Sequence, residues 1–376
     1  MDAAERRAWA YLSRVCEPPN PPLAELVGTV GAVEAAERIR SRRIAGDLLR
    51  ATEARRDIDS AVADLEVLDR LGGRLLTAQD DEWPHLAFAS FGRAALAQKQ
   101  WGHSPLVLWA VGPSNLADVT ARSAALVGTR AASAYGEHVA GEFATGLVER
   151  DVAVVSGGAY GIDGVAHRVA LACDGETVAV LAAGIDVPYP SGHSALLHRI
   201  GRSGLVLTEY PPGVRPSRRQ FLARNRLVAA LTAATVVVEA GVRSGAANTA
   251  AWARALGRQV CAVPGPVTSA TSAGCHALIA DHDARLVTRA AEVVEAVGRI
   301  GELAVELDRP ATDIDGLGDT ELTVYEAIPH RGARAVGEIA IVAGLPLTEV
   351  LGALAMLDVR GLIRQEDGNW KLAKQG

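Results

Sequence analysis

Lysine is almost absent from this chain: Lys99, Lys371 and Lys374 stand against 35 arginines. A nucleotide-hydrolysing P-loop needs G-x-x-x-x-G-K-[ST], and with no lysine between Lys99 and Lys371 that chemistry is excluded. Cysteine is also sparse. Cys16, Cys173, Cys261 and Cys275 are far apart with no C-x-x-C spacing, which speaks against a disulfide framework or a structural zinc site and for a reducing compartment. No uncharged apolar run approaches the roughly 18 residues of a membrane span, and the opening MDAAERRAWAYLSRVCEPP is too charged for a signal peptide. A cytoplasmic protein without membrane association is expected. A basic excess is missing as well: the net charge is −6, which taken alone argues against a polyanionic partner.

What is present has the composition of an ordinary globular protein, with 49% hydrophobic and 22% charged residues over 376 positions, enough for two or three domains. Residues 1–70 carry apolar positions at helical spacing (Ala8, Trp9, Leu12, Val15) and read as a small helical module. A connecting segment, 71–117, follows, with RLLTAQDDEWP and PLVLWAVGP as strands or extended connections. From 118 to 300 short Val-rich runs alternate with helix-length segments: AALVG, VAVVS, TVAVLAAG, LVLTEY, TVVVEA, QVCAVPG and ARLVT. That alternation predicts an α/β fold, a Rossmann-like, doubly wound, mostly parallel sheet covered on both faces, with its ligand edge beyond the carboxyl ends of the strands. Residues 301–320 read as an acidic linker, and 321–376 as three short helices and a hairpin, the pattern of a winged helix-turn-helix.

Four strand-to-helix junctions are candidates for chemistry. The first is GTR, with Arg130 leaving a strand end. The second is SGGAYGIDGVAH, in which Gly157, Gly158 and Gly161 could turn backbone N–H groups toward a phosphate at a helix start. This is not the dinucleotide G-x-G-x-x-G, and no acid stands at the next strand end to hold a ribose, so NAD is disfavoured and no cofactor is expected. The third junction is a stretch from Tyr210 to Val238 with no acid and five arginines: Arg215, Arg218, Arg219, Arg224 and Arg226. The fourth is VRSGAANTA, where Ser244 and Gly245 open a helix.

Charge is segregated accordingly: 118–300 holds 17 basic and 15 acidic residues, while 301–376 carries a net −6. Four junctions on one edge suggest a groove for several phosphates. His167 and Asp163 read more readily as structural than as catalytic, and Ser156 and Ser244 have no matching Ser-His-Asp order. His276 beside Cys275 is at most half a metal site. Phe221 and Tyr160 lie beside the basic and glycine loops and fit either base stacking or ordinary packing.

The run GTRAASAYG, SGGAYGIDGVAHRVAL, TVAVLAAGIDVPYP, LTEYPPG, FLARNRLVAAL, VVVEAGVRSGAANTA, RQVCAVPGPV and SAGCHALI resembles the DNA-processing protein A (DprA/Smf) family in order and spacing. The helical N-terminus, of the sterile-alpha-motif or helix-hairpin kind, and the C-terminal winged helix are similar to that family's full layout. The resemblance implies a non-enzymatic, cytoplasmic protein that binds single-stranded DNA, forms a homodimer and helps load the RecA recombinase in natural transformation. It implies DNA contacts at Arg130, at Ser156, Gly157 and Gly158, and at Arg224, Asn225 and Arg226. The chain departs from the family pattern at Leu222, after Ser244-Gly245 and at His276.

Two other classes of function fit the sequence less well. A phosphoribohydrolase-like enzyme shares the sheet type and a G-G-x-x-G loop, but its P-G-G-x-G-T-x-x-E motif is absent, leaving only Glu239 as an imitation. A transcription regulator is disfavoured because the helix in the recognition position carries Glu349 and Asp358 against Arg360 alone, and acids there repel phosphate.

Overall fold

The computed structural model describes residues 1–93, 99–282, 284–298 and 314–373. The chain forms two compact units, Met1–Ala304 and Val305–Gly376. Most of the acidic linker expected over 301–320 lies outside the described residues.

The first unit is built on a nine-stranded sheet: β1 Gly73–Leu76, β2 Leu108–Val111, β3 Ser123–Val127, β4 Ala153–Ser156, β5 Thr177–Val180, β6 Leu205–Thr208, β7 Ala234–Val237, β8 Gln259–Ala262 and β9 Arg285–Leu286. Their order is β1-β2-β6-β5-β4-β3-β7-β8-β9. From β6 to β9 all neighbours are parallel, while β1 and β2 add antiparallel pairs at one edge. The chain runs outward from β3 to β6 on one side and then restarts at β7 on the other side of β3. The switch point therefore lies between β3 and β7, where a ligand crevice opens in such sheets. Segment 71–117, read as a connecting segment with RLLTAQDDEWP and PLVLWAVGP as strands or extended connections, supplies β1 and β2 to this sheet from those two runs. Trp109 of β2 is fully buried, so the edge is part of the core.

Alternation along the strands sends side chains to both faces. Ala125 and Val127 face one core with Leu227, Trp252 and Leu256, while Ala124 and Leu126 face another with Phe143, Leu147 and Val293. Each fully buried Leu or Val contributes about 1.5–3 kcal/mol, and the near-continuous apolar strands follow from covering both faces. The N-terminal helices α1 Ala3–Val15, α2 Pro21–Val30, α3 Ala32–Arg40, α4 Gly46–Thr52 and α5 Ala61–Arg70 pack Trp9, Tyr11, Leu12 and Leu68 against Trp109, Leu181 and Val206. They sit on the sheet and share its core.

Between strands come α6 His85–Ala89, α7 Leu116–Ala121, α8 Ala134–Val148, α9 Ile162–Ala172, α10 Ser194–Ser203, α11 Arg218–Ala230, α12 Gly245–Ala255, α13 Ala273–Asp281 and α14 Ala290–Val297. Several begin at a side-chain cap: Ser133, Ser217 and Ser244 accept N–H bonds from Gly136, Gln220 and Ala247. Helices α9 and α12 start at Ile162 and Gly245, which brings their N-termini to the sheet edge.

The second unit holds α15 Asp319–Glu326, β10 Arg334–Ala335, α16 Val336–Ala343, α17 Leu347–Val359, β11 Ile363–Glu366 and β12 Asn369–Leu372. Its three strands form an antiparallel sheet, and Val324, Ile339, Leu354 and Leu357 make a separate core.

Candidate functional site

At the carboxyl ends of β3, β4 and β7 the first unit opens into a cleft of about 750 Å³. Three of its lining residues, Arg130, Arg218 and Arg243, are exposed arginines from three different junctions. None of the three is in an ion pair among the described residues. Each follows a strand, so the parallel topology aims all three at one edge.

The first junction is braced from beneath. The buried Glu239 carboxylate accepts bonds from Ser133 N (2.9 Å), Ser133 Oγ (2.6 Å) and Thr271 Oγ1 (3.0 Å), and its carbonyl accepts from Thr129 N (2.7 Å). This leaves Arg130 projecting with its guanidinium 4.9 Å from the centre of the Phe221 ring. Tyr189 is also beside this ring, at 5.4 Å between centroids and tilted by 52°. Arg130, Phe221 and Tyr189 thus cluster along the cleft wall, the cation against one ring and the two rings tilted to each other.

The glycine loop differs from its sequence reading. The Gly157 N–H, expected to face a phosphate, donates with that of Ala159 to the buried Asp163 Oδ2, at 3.1 and 3.4 Å. Ser156 is fully buried and its hydroxyl donates to Leu126 O at 2.6 Å, so it is not presented to the cleft. A Cβ on Gly157 would lie 2.5 Å from the Arg224 guanidinium, and one on Gly161, at φ +72°, would lie 2.2 Å from Thr129 O. Gly158 is buried, and its carbonyl meets His193 Nδ1 at 3.0 Å. Of this loop only Gly157 and Ala159, with Asp163 behind them, line the cleft.

The arginine stretch divides by helical phase. Residues 224 and 226 are about 200° apart around α11. Arg224 faces the cleft floor but is buried, donating to Gly157 O at 2.7 Å and to Val180 O. Burial pushes its pKa down to about 10, against the opposing pull of Asp163, and it stays charged at neutral pH. Burial pushes Asp163 upward, and Arg224 and the loop N–H groups oppose that. Arg226 points away from the cleft. It is wholly buried and its Nη2 lies 2.7 Å from both Glu209 oxygens, so it is not presented to the cleft where the sequence reading expected a DNA contact. Asn225 donates from Nδ2 to Gly245 O and to Asn248 Oδ1, both at 3.2 Å, tying α11 to the start of α12.

Two helix N-termini open on the same cleft, α11 at Ser217 and Arg218 and α12 at Ser244 and Gly245, and their dipoles favour an anion. Arg219 is exposed outside the lining residues. Tyr160 stands apart, edge-on to His193 at 4.8 Å with its hydroxyl accepting from Gly192 N at 3.2 Å. Tyr189 and Arg243 were missed from sequence. Each follows a strand end, and that position was the available signal.

His167 is structural. Its Nδ1 lies 2.7 Å from Thr177 Oγ1, whose own proton goes to Val154 O at 2.8 Å, so Nδ1 carries the hydrogen. Burial lowers its pKa to about 3. His276 Nε2 lies 3.0 Å from Gly265 O, and no group of metal-ligating side chains is assembled among the described residues.

Comparison with known proteins places this geometry. A sequence model of the family described as DNA recombination-mediator protein A matches residues 74–298. A putative DNA processing protein DprA of Mycobacterium tuberculosis (strain CDC 1551 / Oshkosh) is 63% identical over 370 residues, covering 98% of this chain and 95% of that protein. Among solved structures, DNA processing protein A of Streptococcus pneumoniae aligns with a TM-score of 0.63 at 30% identity over 79% of this chain and 99% of that one. The Helicobacter pylori protein, whose structure is described through its single-stranded DNA binding mode, aligns at 0.51 and 26% identity over 59% of this chain and 94% of that one.

Proposed function

The chain belongs to the DNA recombination-mediator protein A (DprA/Smf) family, and from that premise we propose that its cleft binds single-stranded DNA, in transformation or recombination, without catalysing a reaction. The observation that carries this reading is the convergence of Arg130, Arg218 and Arg243, free of carboxylates, on one cleft beside Phe221 and Tyr189. Single strands are held by cations that follow the backbone and by rings on which bases stack, and this cleft offers both. Arg224, Asn225, Gly157 and Gly161 act beneath that surface by fixing the loops, and Ser244 and Gly245 present a helix N-terminus to a phosphate.

The description of the Helicobacter pylori relative supports the choice of a single strand. Delivery of the strand to the RecA recombinase and action as a homodimer in the cytoplasm complete the proposal. The absence of a catalytic role rests on the chemistry of Asp163, which lines the cleft, and of Glu239, which braces the GTR loop beside it. Asp163 is occupied by loop N–H groups, and Glu239 by Ser133 and Thr271 behind the GTR loop, which also disfavours the phosphoribohydrolase alternative. The second unit takes an accessory role: α17 carries Glu349 and Asp358, and Arg360 at its end faces Glu321 at 3.4 Å.

Binding of equal-length single- and double-stranded oligonucleotides across salt tests the proposal. Three phosphate contacts give a slope of log K against log salt of about −2 for the single strand. Tighter binding of the duplex, or an affinity independent of salt, would contradict it.

A further inference from the structure

The segment between β6 and α11 carries Arg215, Arg218 and Arg219, and its path is set by contacts outside the cleft. Val214 O accepts from Gly184 N at 2.8 Å and Gly213 N donates to Asp186 Oδ1 at 2.7 Å, so this segment and the one leading to Tyr189 are held together. The N-terminal helices supply the remaining tie. Arg14, on α1, donates from Nη2 to Pro212 O at 2.6 Å. The same guanidinium grips Asp64 of α5 through Nε at 2.7 Å and Nη2 at 2.8 Å, and Asp64 also accepts from Ser60 Oγ at 3.0 Å.

Arg14 and Asp64 are 22% and 8% exposed in their side chains, so this is a shielded fork whose planar geometry fixes direction as well as distance. A lysine would supply charge but not the fork. The clamped carbonyl lies six residues before Arg218, and Gly213 within that span, at φ +79°, gives the chain little stiffness of its own.

We propose that the N-terminal helical module acts as a brace for the DNA cleft, with Arg14, held by Asp64, as the positioning residue that sets where the Arg215–Arg219 segment presents its cations. This rests on the single-strand reading above. The module then has a function that requires no ligand of its own: it converts a glycine- and proline-rich connection into a preorganised part of the groove.

The test is a double-mutant cycle between Arg14 and Arg218 on the full chain, read as single-strand affinity at several salt concentrations well below the unfolding temperature. Arg218→Gln alone removes one phosphate contact, worth about fivefold at 0.1 M salt by counterion release. Arg14→Met is expected to weaken binding by a similar about fivefold and to flatten the salt slope by about 0.7, although Arg14 touches no DNA. With Arg14→Met in place, Arg218→Gln should cost less than about twofold, because its contact is already lost. Arg14→Lys should fold normally and still show the flattened slope. Additive effects, or an unchanged slope in both Arg14 variants, would overturn the brace. If the wild type itself binds no single strand, the reading on which the brace rests is what fails.

Discussion

Arg226 separates a family pattern from a physical role. Its guanidinium is fully buried and faces both oxygens of Glu209, and it stands 5.4 Å over the Phe91 ring. Replacing it by methionine keeps the volume and strands Glu209, which is 3% exposed. Breaking a buried pair from one side costs about 3–5 kcal/mol. Burial already pushes the Glu209 carboxyl upward and Arg226 opposes that push, so without Arg226 the carboxyl takes up a proton and the cost sits near the lower figure, about 3 kcal/mol. At about 2–4 °C per kcal/mol for a body of this size, Arg226→Met should lower the melting midpoint by about 6–12 °C. Single-strand affinity, measured while the protein is folded, should change less than about twofold, and Arg226→Met/Glu209→Leu should restore most of the lost stability. Scanning calorimetry and fluorescence anisotropy on the same preparations decide the matter. An Arg226→Met protein that melts like the wild type but no longer binds DNA would refute the assignment.

Phe221→Ala should weaken single-strand binding by about 1 kcal/mol, at the low end for a lost stacking platform, and leave the salt slope unchanged because no cation is removed; a changed slope would mean that Phe221 serves mainly to hold Arg130. Gly157→Ala places a Cβ 2.5 Å from the Arg224 guanidinium, so it should destabilise the fold and weaken binding together, and an unaffected protein would show that this contact relaxes freely. His167 titrates near 3 in the fold against about 6.5 unfolded. Above pH 6.5 it is neutral in both states; as pH falls below that, only the unfolded state takes up the proton and stability declines by about 1.4 kcal/mol per unit. Urea unfolding at pH 7 and pH 5 should differ by about 2 kcal/mol from this group, and an equal difference in His167→Gln would assign the effect elsewhere.

Much of the sheet was legible because a strand buried on both faces writes itself as an unbroken Val-rich run, and every such run from Ala124 to Val287 falls on or against an observed strand. β1 and β2 were less visible: they lie at the antiparallel edge outside the regular strand–helix alternation, and their runs read equally as strands or extended connections until Trp109 is seen in the core. At the site, residue type was readable and direction was not. The five arginines from Tyr210 to Val238 look like one positive patch, but about half a turn of helix sends Arg224 to the floor and Arg226 to Glu209. The acid that bounds the stretch in sequence therefore neutralises part of it in space. The glycine loop misled for a related reason: its N–H groups do meet a carboxylate, but it is the chain's own Asp163. The whole-chain charge of −6 described none of this, since the cleft gathers unpaired arginines from three junctions that are far apart in sequence.

Amide hydrogen exchange of the full chain with and without a single-stranded oligonucleotide tests the central claim most directly. Protection should rise in 128–133, 157–161, 215–222 and 243–247, the segments around the cleft, and remain unchanged along Leu347–Val359. Protection confined to Leu347–Val359 or its hairpin, with the four cleft segments unaffected, would contradict the account.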